Sequence, residues 1–304
     1  MTIIFLALAP IFLLIVLGHI LRRIDFVPIS FWPAAEKTIY YVFFPCLLVS
    51  ELATAEIEIL DLLGMGLSMM AAVVVMAVLI LLLGRFWRMP GPAFSSVFQG
   101  GIRPNSYIGL AAAFGMFGPQ GVALAGIGIA FVVPTVNVLA VAALVRYGNK
   151  GSVNRMDVVR GIVTNPLIIA VFIGVACNLS GLPIVPVLGD MMEILGRASL
   201  PLGLLAVGAG LDFEAARKGF LSVGTTSAIK LLAVPALTAV ACLVLGVTGM
   251  AATVAVLYNA LPTSASSYVL ARQMGGDAAM MAGIITVTTL VAIVTIPAVM
   301  FLAP

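Results

Sequence analysis

QGGIRPNSYIGLAAAFGMF, residues 99–117, places Arg103, Pro104 and Asn105 inside an apolar segment long enough to cross a bilayer. YNALPTSASSYVLARQMGG, residues 258–276, repeats the arrangement with Pro262, Thr263, Ser264 and Ser266. Proline lacks the amide hydrogen a helix requires and turns the preceding residue away from helical geometry, so each segment is expected to break at its middle, at Pro104 and Pro262. Backbone groups released within hydrocarbon must face protein or a polar cavity. Broken helices in corresponding places of two halves point to a transporter's binding site.

The rest of the chain fits a membrane setting. Of 304 residues, 62% are hydrophobic and 9% charged, with a mean hydropathy of +1.23; a soluble domain carries about 25% charge. The class is an all-α integral membrane protein. Of the 15 Lys and Arg, all but Arg103, Arg197 and Lys230 lie in or beside short connections, so the net charge of +3 reports orientation. Nothing interleaves aromatic and basic residues as a nucleic-acid surface would. Cys46, Cys177 and Cys242 stand apart in apolar runs, without disulfide or metal spacing, and are read as packing residues. Residues 2–21 lack a basic leader and read as a spanning helix, not a cleaved signal.

Ten spans follow, near residues 2–21, 31–52, 60–84, 93–117, 120–146, 158–178, 185–211, 218–246, 250–274 and 278–302. A polar link, 147–157, separates residues 1–146 from 158–304. The halves share punctuation at a nearly constant offset: Pro10 and Gly18 recur as Pro166 and Gly174, Pro45 as Pro201, and Pro104 and Gly118 as Pro262 and Gly276. Five spans is an odd number, so the second half enters from the opposite side and the 5+5 repeat is inverted, with helices 4 and 9 crossing at midmembrane. Arg22, Arg23, Lys37, Arg85, Arg88, Arg146, Lys150, Arg155, Arg160, Arg217, Lys218 and Arg272 all fall at connections after odd-numbered helices. The connection after helix 2 carries Glu51, Glu56, Glu58 and Asp61 instead. The positive-inside bias puts both termini outside the cytoplasm, in a multi-pass protein of the inner (plasma) membrane.

Three basic residues remain at membrane depth, where each must face protein or water. Arg103 precedes the first break and is the candidate for attracting an anion. Lys230 shares its helix with no acid. It either stands where a coupling cation would, exchanges a proton during the cycle, or is a fixed tether. Arg197 is read as ordering the kinked helix 7, and His19 as a helix-end structural residue. Asn105 and Ser106, and Thr263 and Ser264, follow their prolines in matching places, where amides opening the resumed half-helices favour a carboxylate. Their side chains either complete its hydrogen bonds or satisfy carbonyls freed at the kinks. Asn137 and Asn259 are further pocket candidates, and no metal site or catalytic group is expected. HExxH, Walker A and GxSxG motifs are missing, so ATP-driven transport and proteolysis lack their chemistry.

RPNSYIG at 103–109 and ALPTSASSYVLARQMG at 260–275, with ten spans and a short central loop, resemble a bacterial member of the auxin efflux carrier family over essentially the whole length. The resemblance implies a fold similar to that of bile acid:sodium symporters. Helices 1, 2, 6 and 7 would form a scaffold and helices 3–5 and 8–10 a mobile, elevator-type transport domain. It further implies a homodimer through helices 2 and 7, and a small carboxylate substrate, malate-, malonate- or auxin-like. Thr263 and Ser264 stand where relatives often have a nearby Asn, so substrate identity does not carry over. The expectation is a secondary carrier for a small organic anion, not an enzyme, without a cofactor and with proton or sodium coupling open. An anion channel and a membrane sensor are the alternatives.

Overall fold

The computed structural model describes residues 2–55, 59–149, 160, 163–181, 184–217 and 219–302. Lys150 and Arg155 in the central link, together with Glu56, Glu58 and Lys218, lie outside the described residues. Among the described residues the fold is all-helical and contains no strand. Its first part comprises α1 (Thr2–Arg23), α2 (Phe31–Thr38), α3 (Phe44–Thr54), α4 (Ile59–Gly84), α5 (Gly91–Ile102) and α6 (Ser106–Tyr147). The second comprises α7 (Pro166–Ser180), α8 (Pro186–Ala209), α9 (Phe213–Arg217), α10 (Phe220–Ala228), α11 (Val234–Val244), α12 (Gly249–Asn259), α13 (Ser266–Met274) and α14 (Ala278–Leu302).

Among the described residues, six helical stretches are long and apolar enough to cross a membrane: Ile4–Arg23, Leu62–Gly84, Ser106–Tyr147, Pro186–Ala209, Phe220–Val244 and Ala278–Leu302. Their outward faces carry large apolar side chains, such as Leu13, Val187 and Val294, each more than two-thirds exposed. Water would penalise such a surface, whereas lipid tails match it.

Proline and glycine punctuate these helices at identifiable places. α6 is two helices, because Gly118 holds φ 62° and ψ −150°, a conformation that lacks helical geometry and favours a residue without Cβ. That break falls between the fourth and fifth expected spans. Single π-helical turns, Ile39–Phe43 and Ile229–Ala233, join α2 to α3 and α10 to α11, just ahead of Pro45 and Pro235. A proline ring collides with the carbonyl four residues earlier, and one wider turn relieves the collision. Lys230 sits in the second of these turns.

α1 packs along α8, and α3 packs against α7 and α8. α4, α5, α6, α11 and α12 pack among themselves, and α14 lies against α5, α9 and α10. Between α1 and α8 the backbones nearly touch: a Cβ on Gly18 would run into the Leu205 carbonyl, and one on Gly208 into that of Ile15. Small residues permit this approach, and dispersion contact replaces the hydrophobic effect that lipid cannot supply.

Candidate functional site

α5 and α12 stop where the two prolines predict, and each is too short to span alone, since 12 helical residues cover about 18 Å. Between the half-helices two short extended stretches of backbone run antiparallel. Asn105 N donates to the Pro262 carbonyl at 2.9 Å and Ser264 N to the Arg103 carbonyl at 3.1 Å, around the bridge of Pro104 with Thr263. The prolines therefore cost this short ladder nothing, because the amides it uses belong to their neighbours. Backbone groups freed by the breaks find partners in each other, as low dielectric requires.

Side chains close the remaining valences. The Asn105 Oδ1 accepts from the amides of Tyr107 at 3.1 Å and Ile108 at 3.4 Å, capping the start of α6. The start of α13 has no side-chain cap. At the end of α5, the Thr263 hydroxyl donates to the Gly100 carbonyl at 2.7 Å, while Thr263 N donates to the Thr288 hydroxyl at 3.1 Å. At the end of α12, the Lys230 ammonium donates to the Asn259 carbonyl at 2.8 Å. The Asn259 Nδ2 donates to the Met69 carbonyl at 3.2 Å and to the Thr238 hydroxyl at 2.7 Å.

A cavity of about 640 Å³ opens beside the crossing. Arg103, Asn105, Ser106, Asn137 and Ser264 all line it, so five of the residues singled out in the sequence come together. The Arg103 Nη2 donates to the Asn137 Oδ1 at 2.9 Å and to the Ser266 hydroxyl at 3.2 Å, which aims the guanidinium along the wall. Its Nη1 is buried without a partner, and so is the Asn105 Nδ2. The Ser106 hydroxyl pairs with that of Tyr258 at 2.8 Å, and Ser264 pairs with Ser266 at 2.9 Å. Thr263, Asn259 and Lys230 are fully buried and do not line the cavity.

The facing wall brings Glu36, Tyr40 and Asn165, which sequence reasoning did not single out. Asn165 had a signal: it precedes Pro166 at a helix start and caps α7 through Leu167 N at 3.0 Å and Ile168 N at 3.3 Å, as Asn105 caps α6. Glu36 is an acid within an apolar segment, but nothing local says which way it faces. It also lines an adjoining cavity of about 820 Å³ with Arg22, Arg23, Asp212 and Arg272. Away from both cavities, Arg197 pairs with Glu193 one turn earlier on α8, with both side chains exposed. Among the described residues, no group of three or more His, Cys, Asp or Glu stands together.

The family described as membrane transport protein matches residues 152–300. That match covers just under half of the chain, so the likeness is to the second half of this protein. Its long apolar helices and this likeness mark it as a multi-pass membrane protein. An uncharacterized transporter of Methanothermobacter thermautotrophicus is 29% identical over 132 residues, 43% of this chain and 43% of that relative, so the alignment spans less than half of either. The family match includes the Pro262 break and stops short of the Pro104 break.

Proposed function

We propose that this protein is a transporter, a secondary carrier for a small organic anion, a mono- or dicarboxylate, working by alternating access. The observation that carries the reading is the pair of buried, unpartnered donors, Arg103 Nη1 and Asn105 Nδ2, in the wall of one cavity beside the uncapped start of α13. Donors in surplus at an interior site are stabilised by an acceptor that brings negative charge. The positive end of a helix adds to that preference. Arg103 attracts and pairs with the carboxylate, Asn105 orients it, and Ser106, Asn137 and Ser264 supply the polar rim. Thr263 and Asn259 hold the breaks rather than the ligand.

The finer architecture belongs to the same reading: ten spans, an inverted repeat, and an elevator in which helices 3–5 and 8–10 move against helices 1, 2, 6 and 7. The grouping of α1, α3, α7 and α8 on one side and the crossing on the other favours it, because the cavity lies at their boundary. Arg22, Arg23, Lys37 and Arg272 border the two adjoining cavities, so under the positive-inside bias this is the form open to the cytoplasm. A homodimer through helices 2 and 7 in the inner membrane completes the proposal, with both termini extracytoplasmic.

The test is counterflow in proteoliposomes with a panel of labelled mono- and dicarboxylates. Saturable exchange that fails in Arg103→Gln supports the reading. Conductance without exchange would indicate a channel.

A further inference from the structure

Among the described residues, two cationic side chains are buried, Arg103 and Lys230, and each stands where a broken segment leaves a helix C-terminus inside the protein. Such an end carries roughly half a negative charge on its carbonyls, which lipid and protein screen poorly. At α5 the backbone amide of Arg103 bonds the Gln99 carbonyl at 3.0 Å, and its guanidinium faces the cavity. At α12 the compensating charge is the Lys230 ammonium on the Asn259 carbonyl, with no ion pair to an acid among the described residues.

The residue that holds that ammonium has a second oxygen to spare. The Asn259 Oδ1 is buried without a partner, while its Nδ2 is committed to Met69 and Thr238. An ammonium has three protons, and the Asn259 carbonyl takes one. Oxygen atoms of this kind, from carbonyl, amide and hydroxyl groups, are also what a hard monovalent cation selects. The π-helical turn that accommodates Pro235 carries Lys230, so its buried amine is anchored to the helix beside the crossing.

We propose that Lys230 is a tethered cation serving the end of α12, so that the crossing keeps this positive charge throughout the cycle without taking a monovalent cation from solution. Shortening the side chain leaves a space beside the Asn259 carbonyl that such a cation enters. This deepens the carrier reading, and only the flux measurement below rests on it.

The full-length protein is melted in mild detergent at matched ionic strength in NaCl, KCl, LiCl or N-methylglucamine chloride. The wild type is expected to melt alike in all four. Lys230→Ala is expected to melt at least about 3 °C lower in N-methylglucamine. One small cation should then restore it, with a saturating concentration dependence. Lys230→Met, which refills the space without charge, melts lower in every salt and does not respond.

A saturable, ion-specific rise in the wild type would overturn the proposal. So would a Lys230→Ala response that is flat across all salts, or a Lys230→Met protein as stable as the wild type. If Lys230→Ala folds in no salt, the wild-type and Lys230→Met measurements still decide. In proteoliposomes, wild-type anion flux should persist when Na+ and K+ are both replaced. Flux that requires either ion would overturn the proposal, whereas no flux with any anion in any salt would count against the carrier reading and leave the melting results standing.

Discussion

The break at Pro104 and the break at Pro262 share a backbone and differ in what their side chains face. Both interrupt a helix, and each supplies one amide and one carbonyl to the antiparallel bridge. The first places its cation, Arg103, in a cavity wall with a nitrogen to spare and caps its resumed helix with Asn105. The second has its cation, Lys230, delivered from another helix and sealed within the protein, while α13 begins uncapped beside the cavity. One positive charge borders a cavity and the other is committed to the protein. Equivalent backbone geometry therefore does not imply equivalent roles.

Substitutions can separate the two roles. Arg103→Gln should produce the largest effect: truncating a buried charged contact costs about 2–5 kcal/mol of binding, while the melting temperature moves little because the backbone bridge persists. Titration of the purified variant with the transported anion measures this, and an affinity close to wild type would move the site away from the first break. Lys230→Met should do the reverse, lowering stability by about 1–3 kcal/mol through the stranded Asn259 carbonyl. Its anion affinity should stay within a fewfold, and a pure affinity loss at unchanged melting would erase the distinction between the breaks.

Asn105 offers a finer cut, since its two side-chain atoms do different work. Asn105→Asp keeps an oxygen for the Tyr107 and Ile108 amides but removes the free donor and adds repulsion, so stability holds while affinity falls. Asn105→Ala loses the cap, worth about 1 kcal/mol, along with the donor. Equal melting of the two variants would show that the cap contributes nothing. Ser264→Ala should give the smallest change, about 0.5–1.5 kcal/mol, since Ser266 retains its contact with Arg103.

Legibility differed along the same line as the two breaks. Pro104, Pro262 and the Gly118 discontinuity could be read from local chemistry, because a missing amide or a positive φ acts on its own few residues. Arg103, Asn105, Ser106, Asn137 and Ser264 could be nominated because a charged or polar group in an apolar segment must face something other than lipid. The same grounds single out Thr263, yet its hydroxyl serves the Gly100 carbonyl 163 positions away. Periodicity could not foretell the π-helical turns, although the prolines that cause them are visible.

The amino-acid sequence settled the membrane class and the broken segments, since hydropathy and proline placement are properties of the chain alone. Tertiary structure decided which polar groups reach the cavity and which are used up in holding it open. It brought Glu36 and Asn165 into the lining of the same cavity as Arg103, and it buried Lys230 against Asn259 on a different helix. The physical reason is range: helix breaking is governed within one turn, whereas the partner of a buried hydrogen-bonding group is set by how distant helices pack.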